Sequence, residues 1–182
     1  MEPSEAERTI LDVERVRRST RHALNPIWYP NIAFGLFFAG TAILAFLGLG
    51  DTPALVYWVL GGLLTIGLVV RYYARVESEL GVISPTIDAS TLVLLALIAG
   101  VVAANVLAEG DASAYAPTYV GAAGTVAMGL VLRDRVELAA GVAIALVATA
   151  VALLSPEMPG AWANLGLGLS LLVAGLVGRE RA

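Results

Sequence analysis

Cysteine and lysine are absent from this chain, and histidine occurs once, as His22. Without cysteine there are no disulfides, no thiolate metal sites, no cysteine nucleophile and no site for S-palmitoylation. A single histidine cannot build the two-histidine H-E-x-x-H zinc motif, nor a Ser-His-Asp triad inside a membrane. His22, beside Arg21, reads as a surface or headgroup contact. Charge of either sign is scarce, at 14% of 182 residues, and the net charge is -4 with a pI near 4.9, so nucleic acid is not an expected partner. All 11 basic residues are arginine, which together with the abundance of Ala, Gly, Val and Leu suggests a GC-rich prokaryotic genome.

What the chain has in excess is apolar surface. Hydrophobic residues make up 58% of it and the mean hydropathy is +0.81, far above an ordinary soluble domain. A soluble core alternates apolar and polar faces, whereas here apolar runs approach the ~20 residues that cross a bilayer. These runs predict an all-α integral membrane protein of six transmembrane helices, at about 27–48, 54–70, 89–107, 117–132, 136–154 and 161–177. The turns between them are short, and Gly50, Asp51, Thr52 and Pro53 are read as the first. The second helix is expected to run on to Leu80, with Arg75 and Glu79 at ion-pair spacing and Gly81 as its cap.

Residues 1–25 form a separate segment. Ser4 and Glu7 make a capping-box pattern, and Ala6, Ile10, Val13, Thr20 and Leu24 recur at helical spacing, which predicts an amphipathic helix at the cytoplasmic surface. Its acids lie in the first half and Arg15, Arg17, Arg18 and Arg21 in the second, nearest the bilayer, where they are expected to contact the membrane surface. Pro26 ends it, and Trp28 and Tyr29 are placed as headgroup-level aromatics. The first apolar run starts too late and runs too long for a cleaved signal peptide and is read as retained. All 11 arginines fall on one side of the six spans, while Asp51, Glu109, Asp111 and Glu157 occupy the opposite loops. The positive-inside rule therefore puts both termini in the cytoplasm of a cell-membrane protein.

A threefold repeat is suggested by GLVVR at 67–71, GLVLR at 129–133 and GLVGR at 175–179, each at the inner end of an even-numbered span. Five residues before Gly67, Gly129 and Gly175 stand the small residues Gly62, Gly124 and Ser170. The competing reading is that any helix leaving a membrane inwards ends in apolar residues and an arginine. Agreement over several positions favours three helical hairpins about a pseudo-threefold axis, with those six residues as helix-packing positions. Gly35 with Ala39, Gly100 with Ala104, Gly121 with Thr125 and Gly141 with Ala145 mark further close-packing faces. In its six spans and short hairpins the layout is similar to that of the HdeD-like acid-resistance membrane proteins; the likeness rests on layout and carries no function.

Candidate chemistry is sparse. Asp, Glu and Arg all fall at span ends or in loops, which argues against proton-coupled pumping and intramembrane hydrolysis. Asp88, Asp134 and Glu137 read as helix-start residues. Asn105 and Asn164, level with Tyr57 and Tyr119 near the outer surface, are candidates for a shallow outward pocket; the alternative is interhelical hydrogen bonding within an aromatic belt. No catalytic residue, cofactor or metal site is expected. The reading reached from the residues is a non-enzymatic structural, regulatory or interaction component, with the bilayer as one partner and room for a protein partner at the cytoplasmic face or for a homo-oligomer. A channel or facilitator for a small neutral or weakly polar solute is the alternative.

Overall fold

A computed structural model of the chain describes residues 27–80 and 115–181, together with 92–93, 96–97, 99–100 and 103–104. The amphipathic helix expected over 1–25 and much of the span expected at 89–107 lie outside the described residues. Those described are helical or in turns, with no strand among them.

Helix α1 covers Trp28–Phe46. Gly48 and Gly50, at φ 61 and 80, then turn the chain back through left-handed backbone that glycine adopts at little cost. Helix α2, Asp51–Val56, starts earlier than expected: Asp51, Thr52 and Pro53 form its first turn rather than a loop, because proline's fixed φ suits a helix start. A π-helical turn at Tyr57–Gly61 joins it to α3, Gly62–Leu80. Helix α4 covers Ala116–Leu132 and α5 Arg135–Leu154, with only Arg133 and Asp134 between them. Pro159 opens α6, Pro159–Arg181. Four helical stretches are long and apolar enough to cross a membrane, at Trp28–Phe46, Thr52–Val76, Arg135–Leu154 and Pro159–Arg181; Ala116–Leu132 is an apolar helix of 17 residues.

Neighbouring helices run antiparallel, in the spatial order α3, α1, α6, α5, α4, with the broadest contacts between α1 and α6 and between α4 and α5. Glycine explains both. A Cβ on Gly168 would stand 2.7 Å from the Ala39 nitrogen and 2.8 Å from the Gly35 carbonyl oxygen, so α1 and α6 meet backbone to backbone. Gly175 repeats this two turns along, 2.8 Å from the Trp28 carbonyl. On the other seam, Gly129 sits against the Leu138 nitrogen at 2.7 Å and Gly141 against the Val126 nitrogen at 2.8 Å. The two seams enclose a core in which Ala122, Ile144, Leu167 and Leu171 pack together, flanked by Phe34, Phe38 and Ala145.

The outer helix α3 buries far less of itself, and Leu63, Leu64 and Val70 point outward, as does Leu60 in the turn before it. In an aqueous protein that face would be a liability; against hydrocarbon it costs nothing. The glycines of the three GLVxR segments do not share one setting. Gly129 and Gly175 lie in tight backbone contacts, whereas a Cβ on Gly67 would meet nothing within 4 Å. Gly62 lies at ordinary distance from the Phe37 ring, 3.8 Å, while Gly124 stands close against Leu97. Ser170 lies between α5 and α6.

Candidate functional site

The densest polar and aromatic cluster is at the end where α1 and α5 begin and α3, α4 and α6 finish. Its local scaffold is the two-residue turn before α5. Arg133 closes α4 in left-handed backbone, φ 55, and Asp134 donates its backbone N–H to the Gly129 carbonyl at 2.9 Å. The Asp134 carboxylate then accepts from the Val136 N–H at 2.8 Å, capping α5 as its position in the sequence predicted. So short a turn sets the rotation of α5 and brings Glu137 inward.

Glu137 is 4% exposed, and Asn31 Nδ2 donates to its Oε2 at 2.7 Å. The pair ties the first turn of α1 to the first turn of α5 across the bundle. Residue spacing had read Glu137 as a charge at a helix start; it does occupy the first turn, but its side chain serves the interior. An uncompensated carboxyl there would be costly, and the amide donor supplies the compensation. Tyr73 and Asp134 are within electrostatic range of the same carboxyl.

At the same end stand rings from two helices. Tyr29 of α1 stacks on Tyr72 of α3 with centroids 4.2 Å apart, and Trp28 meets both edge-on at 5.7 and 5.8 Å. The Arg179 guanidinium lies 6.0 Å from the centre of the Trp28 ring. Amphipathic rings and arginine at one level are the furniture of a membrane interface. The arrangement can fix helix register and hold a bundle end at headgroup depth. Among the described residues no three Asp, Glu or His side chains come together to hold a metal ion.

The residues proposed for an outer pocket serve different helix pairs. The Tyr57 hydroxyl donates to the Phe37 carbonyl at 3.0 Å, with its ring stacked on Phe37 at 5.4 Å. Thr41 Oγ1 donates to that same carbonyl, also at 3.0 Å. Tyr119 shares a 2.9 Å hydrogen bond with Thr149 of α5. Asn164 is half-buried on α6, and Asn105 lies outside the described residues, as do Arg15, Arg17, Arg18 and Arg21. The Asn31–Glu137 pair is what residue reasoning missed. The available signal was an asparagine and a glutamate each one turn from the same membrane face.

Apolar helices long enough to span, around a glycine-tight core, define the class: an all-helical membrane protein. Comparison with protein families, curated proteins and solved structures finds no match.

Proposed function

We propose that the protein is a non-enzymatic six-span component of a cell membrane, with both termini cytoplasmic, that works through contacts with lipid and with protein at its arginine-bearing face. The observation that carries this reading is how the interior is filled. Ala42, Ile144, Ala148 and Ala163 are wholly buried, and the helices that surround them touch backbone to backbone. Space between α1, α6, α5 and α4 is taken up by side chains in a way that suits a scaffold.

Support for a sixth span comes from parity. Helix α3 finishes beside the start of α1, where Tyr72 stacks on Tyr29, whereas α4 starts at the other end, where Tyr119 meets Thr149. A single crossing of the bundle between Leu80 and Ala116 would join those two ends. Residues 92–93, 96–97, 99–100 and 103–104 are helical. Contacts of Gly100 with Val120 and of Leu97 with Gly124 run antiparallel to α4. Three hairpins then follow in sequence; the pseudo-threefold relation between them is a further part of the proposal, and the differing settings of Gly67, Gly129 and Gly175 count against its being strict.

The test is reconstitution of the purified chain into liposomes, with osmotic swelling in small neutral solutes such as glycerol and urea. Swelling at the rate of protein-free liposomes is expected. A protein-dependent increase would overturn the scaffold reading in favour of a facilitator.

A further inference from the structure

An open groove of about 420 Å³ runs between α5 and α6 on the side away from the core. Its walls are Val136, Ala139 and Ala143 of α5 and Leu169, Ser170 and Val173 of α6, with Ala140 and Ala174 as a buried floor. Apart from the Ser170 hydroxyl the lining side chains are apolar. The volume falls in the range of small-ligand sites, about 300–1,000 Å³. From Val136 to Ala143 the groove extends for about 10 Å at 1.5 Å per residue, and it starts in the first turn of α5.

That starting point decides the occupant. Directly before Val136 come Arg135, the first residue of α5, and the turn of Arg133 and Asp134; both arginines are exposed. The one carboxylate of that turn, Asp134, is engaged by the Val136 N–H. Arg133 holds left-handed backbone at φ 55, where glycine is the low-cost residue, so a cationic side chain stands there against local preference. Two exposed arginines within three residues of Val136, at the end of an apolar groove in a membrane-spanning helix pair, suit a phosphate attached to an acyl chain. We propose that the α5–α6 groove binds an anionic phospholipid, with the first part of one acyl chain against Ala139, Ala143 and Val173 and the phosphate held by Arg133 and Arg135. The site rests on the membrane-spanning reading above and names the lipid class that this reading left open.

The experiment uses the full chain purified in a neutral detergent. Dioleoyl phosphatidylglycerol or dioleoyl phosphatidylcholine is added, and melting temperature and lipid retention by native mass spectrometry are read. Phosphatidylglycerol is expected to raise the melting temperature and to be retained, and phosphatidylcholine to do neither at equal concentration. Arg133→Gln with Arg135→Gln should weaken the anionic lipid about tenfold or more, in line with the usual contribution of two arginines near anionic lipid. Ala139→Trp, which fills the groove from an exposed wall, should abolish retention. Dihexanoyl phosphatidylglycerol, which keeps the headgroup but little chain, should bind far more weakly.

Equal responses of the wild type and both variants would overturn the site. So would a wild type that does not distinguish the two lipids. A native oligomer that Ala139→Trp converts to monomer would instead make the groove an interface between copies, and would also overturn it. Failure of the underlying reading has a separate signature: the chain would be released from carbonate-washed membranes, whatever lipid it binds.

Discussion

Asn31 and Glu137 come from opposite parts of the chain, and each owes its environment to the other. Removing one partner strands the second in a buried site, so the two changes should not be additive. Asn31→Ala and Glu137→Ala are expected to show a coupling energy of roughly 0.5–2 kcal/mol in a double-mutant cycle. The measurement is reversible unfolding in mixed micelles. Glu137→Gln, which keeps an acceptor for the Asn31 amide, should lose less than Glu137→Ala. Arg133 offers an opposite case. Since its φ is 55, Arg133→Gly removes left-handed strain and should stabilise the chain by about 1 kcal/mol in detergent free of anionic lipid. A destabilised glycine variant under those conditions would show that the arginine side chain holds the turn by contacts of its own.

Helix pairs differ in how closely their backbones approach, and bulk added at a glycine reads that distance. Gly168→Leu inserts a branched side chain where α1 backbone atoms stand under 3 Å from the Cβ position, and overpacking of that kind costs about 1–3 kcal/mol or more. Gly141→Leu should lose a similar amount on the α4–α5 seam, where Val126 and Ala122 backbone atoms crowd the site. Gly67→Leu in α3 meets open space and is expected to be neutral, or to gain up to about 1 kcal/mol from helix propensity. Melting temperatures of the three variants in one detergent check this order. The ranking also bears on the repeat: three equal losses at Gly67, Gly129 and Gly175 would restore a strict threefold relation, whereas a silent Gly67 limits the likeness to the way helices leave a membrane. The π turn at Tyr57–Gly61 belongs to this scale too. One extra residue in a turn re-aims the side chains that follow it, and here Tyr57 reaches the Phe37 carbonyl while Trp58 meets Phe37 and Phe38 edge-on.

For the molecule as a whole, antiparallel helices and arginines at one end make a topology that single cysteines can map in a chain with none of its own. Cysteines replacing Thr52 and Glu157 should react with an impermeant thiol reagent added outside intact cells, and cysteines replacing Ser78 and Glu180 should react only after permeabilisation. Asp111→Cys separates six spans from fewer, because a crossing between Leu80 and Ala116 puts it on the same side as Glu157. Labelling of Glu180→Cys in intact cells would reverse the orientation. Asp111→Cys labelling only after permeabilisation would remove the sixth span.

Composition and the lengths of apolar runs were enough to place five of the helical stretches within a few residues of where they fold, because hydrocarbon penalises any unpaired backbone group and leaves a long apolar run little choice but a helix. Turn chemistry was similarly legible at Asp134, whose capping bond is made within two residues. Which helices lie side by side was not. Sequence neighbours α1 and α2 suggested a hairpin as the basic unit, yet the broadest contacts of α1 are with α6, at the far end of the chain. That choice depends on glycines such as Gly35 and Gly168 meeting at the right height, a match between distant positions that no local pattern contains. The same holds for Glu137. Its place in the first turn of α5 was local information, while its burial followed from the rotation of α5 against α1, which only the tertiary structure decides.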